Sequence, residues 1–478
     1  MRDYYFEGNT FVVENYNKKS PFANFLPGVA GKMGIPLWVF YINRGQAISG
    51  FGLQDKNHPI MAFTPANKAY ETSPINGYRT FIKVNGDFYE PFKINSNYQH
   101  KMSINYSDIM IEEINEDLEV KTKITYFGLA NEPLGGLVRK IEIFNIGKKE
   151  LEIELLDGIA EILPSGIQNA AFKTSSNILA SWAEVKHLAD KLPFFTLRAS
   201  TGDTSEVKKV EEGNYYFSFE KDLLIKPIVD QSLVFGYNTM KTTPEFFINN
   251  SLDTIKKKEQ VTTNKFSCAF VPIKRKLKAN QYLSFNSISG HTKNYEILNK
   301  FANNIFKKDY INNKLLEARY EISSMIKDVE TKTAFPIFDE YVKQNYLDNI
   351  LRGGYPEKIG NTIYHLYSRR HGDLERDYNF FSLAPEYFSQ GSGNFRDVCQ
   401  NRRLDTFINK EVEDFNIIHF ASLIQLDGYN PLSVNGISFT FKSNIDKLAF
   451  VKKYFKNKHE SLLKLLKKAL RKGVPFYC

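Results

Sequence analysis

Up to about residue 290 the apolar positions recur mainly with period two, interrupted at short intervals by turn residues. In Leu118-Glu-Val-Lys-Thr-Lys-Ile-Thr-Tyr126 apolar and polar side chains alternate, which predicts a half-buried strand. The segments Leu137–Phe144 and Leu151–Leu155 flank Asn145-Ile-Gly-Lys-Lys149, which reads as a hairpin turn. Helical periodicity is scarce here, so residues 1–290 are predicted to form a large antiparallel β-sandwich. The period changes near His291. Ile297, Leu298, Phe301 and Ile305, then Leu315, Leu316, Tyr320, Ile322 and Ile326, fall at helical spacing, predicting a helical linker over 291–333 packed on the sandwich. From Ala334 to the end the pattern predicts helices separated by Gly- and Pro-rich loops such as Arg352-Gly-Gly-Tyr-Pro356. The tail, Lys452 to Lys472, reads as a basic amphipathic helix with Leu462, Leu463, Leu466 and Leu470 on its apolar side. Docking on a core is the expected role of that face.

Composition narrows the function classes. With 478 residues, 42% hydrophobic and 14% aromatic, the chain can build two or three cores and is far from a disordered composition. The net charge of +9 comes from lysines scattered among acids, so neither nucleic-acid nor membrane binding is expected. No apolar run approaches the roughly 20 residues needed to span a bilayer. The start, MRDYYFEGNT, lacks the apolar core of a signal peptide. Cys268, Cys399 and Cys478 are odd in number and lack metal-ligand spacing, which argues against disulfides and metal and for a reduced, cytoplasmic setting.

Candidate chemistry concentrates between Arg369 and Arg403. This stretch holds six of the fifteen arginines and no lysine, interleaved with Asp373, Glu375, Asp377 and Asp397, six aromatics and three glycines. Arginine forks onto phosphate or carboxylate and stacks on flat faces, whereas lysine is a point charge. Its choice in a lysine-rich chain points to a polar binding site rather than to surface ion pairs.

Five phrases carry a resemblance: Pro36-Leu-Trp-Val-Phe-Tyr-Ile-Asn-Arg-Gly45, Phe63-Thr-Pro-Ala-Asn-Lys-Ala-Tyr70, the run Tyr341 to Pro356, His371-Gly-Asp-Leu-Glu-Arg-Asp-Tyr378, and Phe388 to Arg403. In this order they resemble the inverting glycoside phosphorylases related to cellobiose phosphorylase, in particular the larger β-1,3-oligoglucan (laminaridextrin) branch. The resemblance implies an α+β multidomain chain. Its parts would be a β-sandwich (1–290), a helical linker (291–333) and the first part of an (α/α)6 catalytic barrel (334–478). In Phe395-Arg396-Asp397-Val398-Cys399-Gln400 the family pattern implies that Arg396 and Asp397 hold hydroxyls of the donor sugar, with Gln400 and Asp377 beside them. A carboxylate accepts from vicinal hydroxyls while a guanidinium donates to oxygens and balances its neighbour. Smaller relatives carry an arginine about six residues before the motif arginine, and Gln390 stands there. Phosphate would then fall to Arg376, Arg402, Arg403 or His371.

In such a reaction phosphate is itself the nucleophile, so a general acid and a cationic cradle are needed but a base is not. A β-linked glucose oligosaccharide and phosphate would give α-glucose 1-phosphate, with no metal or organic cofactor. The family's acid is an aspartate far downstream, expected beyond Cys478, which implies a truncated or split form with exposed apolar helix faces. Asp373, Glu375, Asp377 and Glu386 are poor acids because neighbouring arginines lower a carboxyl pKa. The resemblance also implies a homodimer at full length, with Asn67 to Arg79 near the partner's site, and a complementing carboxy-terminal fragment is a further expected partner. Two readings stay open: a hydrolase with acid and base about 6.5–9.5 Å apart, and a non-catalytic carbohydrate binder using Trp38, Tyr387 and the Arg396–Asp397 pair. Trp38 itself, on an apolar strand, is expected in the core.

Overall fold

The computed structural model describes residues 3–31, 34–198, 210–307, 309–359, 362–366, 393–434 and 448–449. They divide into two compact units whose sequence boundary falls between Asp348 and Asn349.

The amino-terminal unit is rich in antiparallel β-structure. Its largest sheet has eleven strands. In spatial order these are Tyr4–Glu7, Thr10–Glu14, Gln99–Ile104, Asp108–Asn115, Val120–Gly128, Gly135–Asn145, Tyr282–Thr292, Gly213–Glu220, Phe194–Leu197 and Ala183–Lys186. The short strand Leu223–Ile225 is added to Gly213–Glu220. A second sheet orders Ser267–Leu277, Leu151–Ile162, Tyr78–Val84 and Asp87–Tyr89; a third orders Ala23–Leu26, Leu37–Ile42, Ile48–Leu53 and Pro59–Met61. Inward side chains of all three merge in one core, including Ile111, Ile124 and Ile141 from the first, Ile153 and Val271 from the second, and Val39 and Phe51 from the third. The alternation seen at 118–126 is realised from Val120, where Val120, Thr122, Ile124 and Tyr126 are fully buried. Leu118 and Glu119 precede that strand, and Glu119 takes a left-handed turn conformation (φ 53°).

The expected hairpin at Asn145–Lys149 is instead an arch between sheets. Gly135–Asn145 pairs with Val120–Gly128 and Tyr282–Thr292, whereas Leu151–Ile162 pairs with Tyr78–Val84 and Ser267–Leu277. Both strands already have two neighbours, so neither has an edge left for the other. Asn145 shapes the crossing. Its Nδ2 donates to the Lys149 carbonyl (2.7 Å) and the Leu277 carbonyl (2.9 Å), and its Oδ1 accepts from Gly147 N (2.9 Å).

Helices are more numerous in this region than the periodicity suggests. Ala66–Asn76 has a weakly segregated apolar face, and Asn169–Trp182 is kinked at Ser175. The linker helices form as expected, over Tyr295–Asn304 and Tyr310–Ile326. The first is capped by Asn294, whose Oδ1 accepts from Ile297 N (3.0 Å). The inner face of the second, however, is Ile311, Lys314, Ala318, Ile322 and Met325, while Leu316 and Tyr320 are 62% and 69% exposed.

The following helix covers Pro336–Gly353, and Asp339 in its first turn accepts from Thr331 Oγ1 and Thr333 N. The second unit takes in the end of that helix and then a hairpin, Tyr355–Ile359 against Thr362–Leu366, where a Gly–Pro loop is expected. Gly354 sits before it at φ +94°, and a Cβ there would lie 2.7 Å from His365 Cβ, so only glycine fits. Helices Phe395–Arg402, Asp405–Ile408 and Phe415–Ala421 follow, with a small ladder joining Gly393–Asn394 to Ser433–Val434. Apolar side chains of this unit remain exposed, among them Phe407 (82%), Ile417 (67%) and Leu432 (91%). The expected tail helix at 452–472 lies outside the described residues.

Candidate functional site

The Phe-Arg-Asp-Val-Cys-Gln motif occupies the helix Phe395–Arg402. Val398 is fully buried and groups with Val434, and Phe395, Phe420 and Leu423 pack around them. The Phe395 ring meets Phe420 edge-on at 6.2 Å. This apolar side holds the helix, and the opposite positions carry the polar groups. Arg396 and Gln400, four residues apart and therefore neighbours on one helix face, are both exposed. Asp397 lies in the same first turn; its side chain is outside the described ones. A guanidinium and a carboxamide on one helix face offer several donors and one acceptor oxygen.

Two further arginines separate sharply. Arg403 caps the helix and is exposed. Arg402 is 1% exposed. Its Nη1 donates to the Gly354 carbonyl (2.6 Å), its Nη2 to the Ile350 carbonyl (3.4 Å), and it pairs with Asp405 at 3.3 Å. Asp405 is buried too and accepts from Asn416 Nδ2 (3.1 Å). Burial pushes the Asp405 carboxyl up, while Arg402 and Asn416 oppose the rise. A raised carboxyl is what a general acid needs, but one closed off by an arginine and an amide has no open face toward a substrate. In this arrangement Arg402 ties its helix to the end of Pro336–Gly353 and to Gly354, and Asp405 links it to Asn416. Arg376, Asp377 and His371, with Asp373, Glu375, Glu386 and Tyr387, lie outside the described residues.

In the amino-terminal unit the most developed polar cluster is closed. Arg139 and Asp157 are both 0% exposed and join two sheets, Nη2 to Oδ1 at 2.6 Å and Nε to Oδ2 at 3.1 Å. Thr80 donates to Asp157 (2.6 Å), Gln46 accepts from Arg139 (2.7 Å), and Arg139 also donates to the Tyr126 hydroxyl. The guanidinium lies over the Tyr78 and Tyr126 rings, 4.9 and 5.2 Å from their centroids. Burial alone works against the charge on Arg139, but Asp157 prevails and holds it up. Nothing in residue spacing marked this pair, since its members meet across the core. Every strong group is satisfied internally, so the cluster fixes sheet register rather than binding a ligand.

Trp38 is 1% exposed, and its Nε1 donates to the Leu53 and Asp55 carbonyls at 3.0 and 2.9 Å. It belongs to the core, as expected. Arg79, at the end of the segment from Asn67, is held by Glu90 (2.7 Å) and donates to the carbonyls of Lys241 and Thr242. Cys268 is buried with its thiol pushed up by burial, and Cys399 is half-buried. Among the described residues no group of three His, Cys, Asp or Glu side chains could hold a metal, and no helix is long and apolar enough to cross a membrane.

No family model and no curated protein matches the chain. Solved structures to which it is similar include a bacterial glucoamylase complexed with acarbose, at 11% identity and TM-score 0.41, covering 86% of this chain and 51% of that one. Another is assigned as a kojibiose phosphorylase from the human microbiome, at 10% identity and TM-score 0.28, covering 74% and 40%. A third is a galactose mutarotase related enzyme from Lactobacillus acidophilus, at 8% identity and TM-score 0.29, covering 57% and 98%. The chain thus spans about half the length of the first and 40% of the second. At TM-scores below 0.5 these likenesses assign neither fold nor activity to it.

Proposed function

We propose that this chain supplies the donor-sugar site of an inverting phosphorylase that cleaves a β-linked glucose oligosaccharide with inorganic phosphate. The observation that supports this reading is the joint exposure of Arg396 and Gln400 on one face of a helix whose other side is anchored by Phe395 and Val398. Arg396 would donate to sugar oxygens and, with Asp397, grip a pair of hydroxyls; Gln400 would complete the contact. Phosphate attacks the anomeric carbon from the face opposite the leaving sugar. The C–O bond to that sugar breaks, its oxygen takes a proton, and α-glucose 1-phosphate forms. Arg403, Arg376 and His371 are the proposed phosphate holders, and no organic cofactor is required. Asp405 is enclosed and is not the proton donor of this proposal. A barrel-type catalytic domain and a homodimer belong to the same proposal.

The test mixes the purified chain with α-glucose 1-phosphate and glucose, cellobiose or laminaribiose, and measures released phosphate. Release with one acceptor would mean that the chain carries its own proton donor, and sugar binding without release is expected if it does not. Arg396→Ala should reduce release about 100-fold, the scale of one charge-assisted hydrogen bond of about 3 kcal/mol. Sugar release without phosphate would move the assignment to a hydrolase. Sugar binding without turnover would leave a carbohydrate-binding protein. Absence of both activity and binding in a folded sample would end the reading.

A further inference from the structure

A second surface, in the amino-terminal unit, is independent of the sugar reading. A groove of about 590 Å³ is lined by the hairpin strand Leu223–Ile225, the segment after it, the helix Leu252–Lys257 and the strand Ser267–Leu277. That volume is within the range of about 300–1,000 Å³ typical of ligand clefts. Five cations line it, Lys191, Lys221, Lys226, Lys256 and Arg275, against one carboxylate, Glu220. Glu220 is already paired with Arg275 at 2.5 Å. The four lysines form no ion pair among the described residues. Asp222, at the hairpin tip, is not part of the lining. The floor is aliphatic: Leu224, Ile225, Ile228 and Pro272, with Leu223 beside them 72% exposed. Gln260 is fixed in place, its amide bonded to Val229 N (2.7 Å) and to the Pro227 carbonyl (3.3 Å).

Three features define what fits. An excess of lysine charge calls for an acidic ligand. The lining contains no aromatic ring, so neither a nucleobase nor a sugar ring has a stacking platform. Its one arginine is already paired through Nη2 with Glu220, which offsets part of the charge a compact phosphate would meet there. The strand Leu223–Ile225 pairs only with Gly213–Glu220 and carries no strand on its outer edge among the described residues. Such an edge accepts an extended main chain, and the exposed Leu223 offers an apolar contact beside the lysines.

We propose that this groove binds an extended segment of a partner protein in which acidic and aliphatic residues alternate. Acidic side chains reach Lys221, Lys226, Lys256 and Lys191, aliphatic ones cover Leu223 and the floor, and the backbone adds to the edge of the hairpin. The experiment uses the full chain and fluorescence anisotropy with a labelled octapeptide of alternating Glu and Leu. Controls are the same peptide with Lys for Glu, inorganic phosphate and a sulfated oligosaccharide as competitors. Saturable binding is expected that weakens about tenfold from about 20 to about 200 mM salt, as screening of several lysines requires. Lys221→Glu with Lys226→Glu should weaken it at least about tenfold, and Leu223→Asp by a similar factor. These positions are at the surface, and a cooperative melt matching the parent verifies the fold of each variant. Equal binding of the basic peptide, no effect of charge reversal, or no binding of the acidic peptide would each overturn the proposal. Preferential capture of the sulfated oligosaccharide or of phosphate would overturn it as well.

Discussion

Arg139 and Asp157 have no contact with solvent, so the charge on each is tolerable only because the other is present. Arg139→Met should leave Asp157 buried beside Thr80 with no cation, destabilising the unit by about 3–5 kcal/mol, read as a lowered urea midpoint. Adding Asp157→Leu should recover most of that loss, because the unpaired charge is removed and the space filled. A double variant as unstable as the single one would count against this account. The same logic distinguishes Arg402 from Arg403. Their sequence positions are adjacent, yet one is enclosed by Asp405 and two carbonyls and the other meets water. Residue type marked the stretch as arginine-rich; which of these two arginines is enclosed and which faces outward depends on the helix's rotation against its neighbours.

Among the elements, the helix Tyr310–Ile326 best separates pattern from packing. Ile322 is buried on its inner face and Leu316 is exposed, although both fit a helical apolar period. Ile322→Ala should cost about 2–4 kcal/mol of stability, whereas Leu316→Ala should change it by less than about 0.5 kcal/mol. The inner face is hard to read from sequence because it includes Lys314, which lies against Glu132 (2.6 Å), Glu317 (2.9 Å) and the Ala130 carbonyl (2.9 Å). A lysine at a core-facing position hides a stripe that Ile311, Ala318, Ile322 and Met325 otherwise draw. The arch at Asn145 presents the same difficulty in the sheets. Asn145→Ala removes three hydrogen bonds at the crossing and should cost about 2–3 kcal/mol, measured by chemical denaturation. A loss below about 0.5 kcal/mol would show that the crossing is set elsewhere.

For the molecule as a whole, two buried groups tilt stability with pH in opposite senses. Burial pushes Glu113 up to about 7, against the Tyr89 hydroxyl and Phe92 amide that favour its charge. Its carboxyl is protonated in the folded state and ionised in the unfolded state between about pH 4.5 and 7, so its stabilisation is lost as pH rises through that window. Burial, then His58 and Lys293, push His291 down to about 4. The unfolded histidine protonates first, so its contribution is lost as pH falls from about 6.5 to 4. Each spans about 3 kcal/mol, and over about pH 4.5–6.5 the two nearly cancel. Glu113→Gln should expose the His291 slope: relative to the parent, the variant gains stability as pH rises toward about 7. Urea midpoints across this range test it, and parallel profiles for the two proteins would exclude it.

The linear pattern determined a good deal of this. Period-two alternation with frequent turns specified antiparallel strands, and the change to helical spacing after His291 specified the two linker helices, because both signals arise from local geometry and burial on one side. The Phe395 to Gln400 motif stood out in the linear sequence as a candidate, and its helix shows which of its members are exposed. Tertiary structure alone decided whether Leu137–Phe144 and Leu151–Leu155 paired with each other, since strand partners depend on which edges remain open. It also paired Arg139 with Asp157, enclosed Arg402, and gathered Lys191, Lys221, Lys226 and Lys256 round one groove. Arg139 and Asp157, like Lys191 and Lys256, are far apart in sequence and meet only in the folded unit, so no periodicity could have brought them together.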